Sequence, residues 1–388
     1  MTDAARRRRR IDPGTRAGLL YCVKVFLAVR IGLLVLGYIA TGILPDRAAV
    51  SAPGWPDDTN TPGLHNVVTS FEEQDALWYL HIADDGYRAD DGSAAFFPLF
   101  PLAVRGTSWA LGGRPLAAGL LVSNLAFLGA LCMLYLLTRS ELSESKARKA
   151  VLYISIFPTA FFFFAPYGES LFLLMAVTAF WAARRARWPA AGVTGAFAAA
   201  TRSVGVILAP ALAVEAIHQW REKRSSLWMV LWAGLVPLGL GAYLWYWHAK
   251  TGDAQAPLRF QSNWQREAAF PPETLVAATA GAFRDGGYLL LDWLIVVPAL
   301  AAAAYAVIRF RPAFSVFTWL GILAPLSLIW PDRPLMSMPR FVLPLFPIFW
   351  ALAELAERRR LPHALIVGVS AAGLGVLTVL FVNAHFIF

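Results

Sequence analysis

Cysteine and charge are both scarce in this chain. Its 388 residues hold two cysteines, Cys22 and Cys132, each inside an apolar stretch. That excludes a disulfide framework and a cysteine-based metal site. Charged residues make up 15%, against about 25% in an ordinary soluble domain. With 58% hydrophobic residues and a mean hydropathy of +0.54, disorder and a soluble multidomain architecture are both excluded. The chain has no GxGxxG or Walker spacing, no Asp-x-Asp pair, no HExxH and no Cys/His cluster. Dinucleotide, phosphate-loop, metal-assisted nucleotide-sugar and zinc-peptidase chemistries therefore have no sequence support, and no metal or other cofactor is expected.

What is present is apolar sequence in long, recurring runs. A crossing of a bilayer core about 30 Å thick takes roughly 20 residues. The runs predict an all-α polytopic membrane protein of about eleven spans: 17–44, 116–138, 150–164, 168–183, 188–201, 203–217, 227–249, 288–308, 313–330, 341–356 and 362–384. A twelfth run, 96–112, carries Pro98, Pro101 and Arg105 and is expected as an interfacial or re-entrant element. The first span is too long for a cleaved signal, and no small-residue cleavage pattern follows it.

The basic residues orient these spans. With the amino terminus inside, 21 of the 34 Lys and Arg fall in inner segments and 11 outside, although most of the outer segments are longer. This positive-inside bias predicts a cell-membrane protein with a basic cytoplasmic tail at 1–16. The net charge of +9 then reflects inner loops facing anionic headgroups. Membrane lipids are the expected surroundings, and no nucleic-acid partner is expected. Two outer loops are long enough to hold a site: 45–95 with its continuation to 115, and 250–287. The stretch 45–95 carries ten Asp and Glu against two Arg.

In the first loop, Ser70 and Glu73 have capping-box spacing and Gly86 suits a helix stop. A helix between them places Phe71, Asp75, Trp78, Tyr79 and Ile82 on one face, with Glu72, Asp84 and Asp85 toward water. Asp75 then projects from an aromatic stripe, a costly place for a carboxylate without a partner or a function. Further polar groups stand near outer span ends. Glu169 opens an apolar helix, where the helix dipole favours a carboxylate. Arg202 sits at the outer turn of a short apolar hairpin and needs an anion. Arg340 precedes an apolar helix. His81 lies near the face of Asp75. Gln261, Trp264 and Arg266, in the second loop, are candidates for stacking and hydrogen bonding to a sugar.

Several of these residues fall in motifs. Asp75–Tyr87 (DALWYLHIADDGY) followed by Ala95–Pro101 (AFFPLFP) resembles the luminal-loop signature of the PIG-V mannosyltransferases. So does Phe157–Ser170 (FPTAFFFFAPYGES). Thr201-Arg202 and Met338-Pro339-Arg340-Phe341, with the Phe-Pro-Ile-Phe-Trp run at 346–350, are similar as well. The likeness runs in order from about residue 20 to 356. Two positions depart from it: Gln74 stands where the family usually has Trp before the loop aspartate, and Ser203 where it often has Pro after Thr-Arg.

The resemblance implies a single GT-C-like transmembrane domain over 1–388, with 45–115 as the catalytic loop. It implies a mannose donor on a polyprenyl phosphate, extracytoplasmic catalysis and inversion at the anomeric carbon. Eukaryotic members of the family act on the GPI anchor. The arginine-rich amino terminus is bacterial in style, so a glycolipid or lipoglycan acceptor is expected instead. On this reading Asp75 is the general base, and Arg202 and Arg340 bind the donor phosphate, with His81 as a third. Glu169 holds an arginine or the sugar ring. Trp78, Gln261 and Trp264 contact acceptor or sugar. A lipid-linked sugar transporter, a non-catalytic assembly partner, another sugar and a protein acceptor stay open at this level.

Overall fold

A computed structural model of the chain describes residues 12–43, 66–262 and 266–385. Most of it is helix, as expected. The first long helix, α1, spans Pro13–Ile43. After the acidic loop come α2 (Asp75–Asp85) and α3 (Leu99–Ala110). Helices α4 (Pro115–Glu141), α5 (Glu144–Ser155), α6 (Glu169–Arg184) and α7 (Trp188–Thr201) follow. A 3₁₀ turn at Ser203–Ile207 leads into α8 (Leu208–Arg221), and another at Leu227–Leu235 leads into α9 (Val236–Thr251). The segment 250–287 holds α10 (Ala256–Ser262), a strand β1 (Glu267–Ala268) and α11 (Pro271–Asp285). The chain closes with α12 (Gly287–Arg309), α13 (Pro312–Leu326), a strand β2 (Leu328–Ile329), α14 (Met338–Val342), α15 (Pro347–Glu357) and α16 (His363–Val382).

Among the described residues, six helices are long and apolar enough to cross a membrane alone: 13–43, 115–141, 203–221, 227–251, 287–309 and 363–382. They coincide with six of the eleven expected spans. The other five expected spans form shorter helices, and prolines explain two of them. The run 150–164 stops being α-helical at Ser155; Pro158 and Pro166 cannot continue it, and the chain turns through a 3₁₀ segment, Ala160–Phe163. The run 341–356 is split by Pro344 and Pro347 into α14 and α15. The run 96–112 forms only the 12-residue α3, about 18 Å at 1.5 Å per residue.

The buried irregular turn 156–168 needs partners for its carbonyls. Arg30 Nη2 donates to the Phe163 carbonyl at 2.7 Å, as does Ser170 Oγ at 3.1 Å. Asn124 Nδ2 donates to the Phe164 carbonyl at 3.1 Å. Small residues let other helices approach closely. A Cβ on Gly239 of α9 would lie 2.0 Å from the Ala196 carbonyl of α7. Aromatic rings fill the centre: Phe180, Phe314, Phe346 and Trp350 pack with centroids 4.8–6.0 Å apart.

One end of the bundle gathers the basic loops. Arg184 bonds Glu141 and the fully buried Glu215, each at 2.7 Å; Arg311 reaches Glu215 and Glu222 at 3.3 and 3.0 Å. Lys146 and Arg309 meet on Glu354 at 2.7 and 2.9 Å. Helix α6 begins at Glu169 and ends at Arg184, so its first residue stands about 22 Å from this end. A two-stranded antiparallel ribbon, not anticipated in an all-α reading, pairs Glu267 with Ile329 and Ala268 with Leu328.

Candidate active site

Asp75 is the first residue of α2, where unsatisfied amide groups favour a carboxylate. The expected capping box does not form. Ser70 Oγ instead donates to the Val67 carbonyl at 3.2 Å, and the chain turns sharply before the helix starts. Gln74 carries that turn at φ +57°, a conformation costing a non-glycine residue about 1–3 kcal/mol. Its Nε2 donates to the His385 carbonyl at 3.0 Å, which ties the turn down. Glu72, expected to face water, is buried at 5% exposure, because the helix that would have turned it outward begins three residues later. Gly86 ends α2 as expected, at φ +86° with its N–H on the Ile82 carbonyl.

Four charged groups from four parts of the chain meet here. Arg340, on α14, donates through Nη1 to Asp75 Oδ2 and through Nε to Glu169 Oε1. Arg202, in the break after α7, donates through Nη1 to the same Glu169 oxygen. The row runs Asp75–Arg340–Glu169–Arg202, alternating in sign. Glu169 is fully buried, and Arg202 is 8% exposed. The Arg340 guanidinium lies over Tyr167 (4.7 Å) and Phe162 (5.2 Å), and that of Arg202 over Phe341 (5.3 Å). Tyr167 OH also donates to the Glu73 carbonyl at 2.8 Å, fixing the approach to Asp75.

Asp75, Arg202 and Arg340 line one cavity of about 160 Å³, together with Tyr79, Phe341 and Arg266. Glu169 lies beneath its wall and holds both arginines. Among the described residues Asp75 Oδ1 makes no hydrogen bond, so one carboxylate oxygen of this cavity-lining residue is held and the other is not. No group of three or more His, Cys, Asp or Glu placed to hold a metal ion occurs among the described residues.

Other expected site residues fall elsewhere. His81 does not line the cavity; its ring nitrogens face Asp85 and Asp91 at 3.2 and 3.3 Å. It lies six residues after Asp75, nearly two turns along α2, and the two aspartates hold it there. Trp78 is buried behind the wall, stacked on Phe96 at 5.6 Å; Phe96 itself lines the cavity. Gln261 lies on α10 with its side chain outside the described atoms, and Trp264 lies outside the described residues. Tyr79, Ser337 and Phe341 line the cavity without having been given a role at the site. Tyr79 stands one helical turn from Asp75, and Phe341 is next to Arg340, which are the signals that point to them.

The helical bundle with its site at one end is a membrane-embedded architecture of the GT-C class. It resembles the crystal structure of ArnT from Cupriavidus metallidurans bound to undecaprenyl phosphate, with a TM-score of 0.51 at 16% identity over 92% of this chain and 63% of that one. The profile of the Mannosyltransferase (PIG-V) family matches residues 23–229, and the chain belongs to that family. A GPI alpha-1,6-mannosyltransferase 2 from Mus musculus is 31% identical over 216 residues, or 51% of this chain. The match spans 42% of the mouse protein.

Proposed function

We propose that this protein transfers mannose from a polyprenyl-phosphate-mannose donor to a hydroxyl of a glycolipid or lipoglycan acceptor, with inversion, on the extracytoplasmic face. The observation that carries the reading is the meeting of Asp75, Arg340 and Arg202 in one cavity. Mannose is supported by the family and by the mouse relative's name. A lipid phosphate as leaving group is supported by the undecaprenyl phosphate bound to ArnT. The extracytoplasmic side is supported by the basic loops gathering at the opposite end of the bundle.

Asp75 Oδ1 accepts the acceptor hydroxyl's proton while Arg340 holds Oδ2 in place. The acceptor oxygen bonds to the anomeric carbon, which passes through an oxocarbenium-like state. The bond from that carbon to the donor phosphate breaks, and its electron pair leaves on the phosphate oxygen. Arg202 and Arg340 present fixed N–H groups to that phosphate. Glu169 holds both guanidiniums in position, so no reorganisation is needed as charge develops.

The test is reconstitution of the purified protein with radiolabelled polyprenyl-phosphate-mannose and a membrane lipid extract. Covalent label in the glycolipid fraction is expected from the wild type, with a loss of about 10²–10⁴-fold in Asp75→Asn. Label crossing vesicles without covalent transfer overturns the reading in favour of a transporter. Near wild-type transfer by Asp75→Asn removes Asp75 as the base.

A further inference from the structure

We propose that Arg266 binds the phosphate of the donor and of the departing lipid, supplying the positive charge that the Asp75–Arg202 row does not. The inference rests on the lipid-phosphate donor proposed above. In that row two carboxylates face two guanidiniums, so its formal charge is zero. Arg202 and Arg340 are positioned but already neutralised. Arg266 lines the same cavity and makes no ion pair with a carboxylate among the described residues. It brings the cavity and its wall to a formal charge of +1.

The surroundings of Arg266 suit an anion. Its Nη2 donates to Ser337 Oγ at 3.4 Å, a long bond, and its guanidinium stands 5.9 Å from the Phe341 ring centroid. Phe341 therefore carries Arg202 (5.3 Å) and Arg266 near one ring, which spaces two guanidiniums around one point. A guanidinium offers five N–H donors in a rigid fork, and one is spent on Ser337. Burial holds the Arg266 pKa below the ordinary arginine range, against a weaker opposite pull from Asp75. A cation taken out of water without a counter-ion is costly, and a bound phosphate removes that cost.

Its placement is fixed by the fold. Arg266 immediately precedes β1, which is registered on β2, and the Ala269 N–H reaches the Ser327 carbonyl at 3.0 Å. The turn after β2 is held by Arg333, whose Nε and Nη2 bond Asp292 of α12 at 2.7 and 2.9 Å. The ribbon thus brings Arg266 to the cavity that Asp75 of α2 also lines.

The charge balance of the transfer explains why a third cation matters. The donor phosphodiester carries one negative charge. When its bond to the anomeric carbon breaks, the electron pair stays on the phosphate, which leaves with two. The acceptor hydroxyl's proton goes to Asp75, so the row gains one net positive charge as the phosphate gains one negative. A net cation present before the reaction binds the donor, and the same cation holds the product more tightly.

Arg266→Gln and Arg266→Lys, reconstituted in nanodiscs, test this by direct binding of radiolabelled polyprenyl phosphate alongside transfer kinetics. The expected result for Arg266→Gln is a rise of about ten- to a hundredfold in the polyprenyl-phosphate Kd and in donor KM, the size of one charged hydrogen bond. Acceptor KM stays unchanged, the thermal unfolding midpoint of the ligand-free protein does not fall, and Arg266→Lys recovers part of the binding. Wild-type lipid-phosphate binding that Arg266→Gln leaves intact overturns the role of Arg266 alone. A wild type that neither binds polyprenyl phosphate nor transfers from its mannosyl form overturns the donor reading, and this role with it.

Discussion

Asp75 and Arg340 lie 265 positions apart in the chain and share a hydrogen bond from Nη1 to Oδ2. The bond joins the first turn of α2 to α14, two elements far apart in the sequence. It leaves Asp75 Oδ1 without a hydrogen bond among the described residues and fixes the geometry on which the proposed proton transfer depends.

Glu169 is the common acceptor of Arg202 and Arg340. Glu169→Gln keeps the shape and removes the charge, leaving two buried guanidiniums with Asp75 as their sole carboxylate in the row. Breaking a buried ion pair costs about 3–5 kcal/mol. A clear drop in the unfolding midpoint in detergent is expected, together with loss of transfer. A variant as stable and active as the wild type would show that Glu169 does not organise the site.

Arg30 sits inside α1 at 5% exposure with no carboxylate partner among the described residues. It donates to Asn124 Oδ1 at 2.6 Å and to the Phe163 carbonyl at 2.7 Å, and aromatic rings of Phe26 and Phe127 lie 4.9 and 4.5 Å from its guanidinium. It therefore holds the turn that delivers Glu169. Arg30→Gln is expected to cost about 1–3 kcal/mol and to reduce kcat more than donor KM, read from thermal unfolding and steady-state kinetics. Unchanged kcat would limit Arg30 to stability.

Gly239 admits no side chain. Its Cβ would meet the Ala196 carbonyl at 2.0 Å and the Ala200 nitrogen at 2.9 Å, and backbone cannot give way as a flexible side chain does. Gly239→Leu is expected to separate α7 from α9 at a cost of about 1–3 kcal/mol or more. Since α7 ends at Thr201, activity is expected to fall with the stability measured by thermal unfolding.

Glu222, at the basic end, has its pKa lowered below 4.5, first by hydrogen bonding from Arg311 and against a smaller opposing effect of burial. A depressed carboxylate pKa contributes stability above the unfolded value, and that contribution is lost as pH falls through the folded one. The stability gap between the wild type and Glu222→Gln is therefore expected to be full near neutral pH and to close below pH 4.5. Unfolding midpoints measured across that range check the sign; a gap that widens on acidification would reverse it.

The sequence by itself determined the membrane class, the helical fold and the chemistry-bearing residue types, because apolar run length and arginine placement act locally. It also marked Asp75, Glu169, Arg202 and Arg340 individually, through carboxylates and guanidiniums at positions where lipid makes charge expensive. Tertiary structure decided the pairings. That Glu169 bridges two arginines and that the turn at Gln74, just before α2, is tied to His385 follow from contacts across tens to hundreds of residues. No local periodicity encodes such contacts. The same holds for the ribbon: two-residue strands carry almost no propensity signal, and their pairing helps bring Arg266 to the cavity.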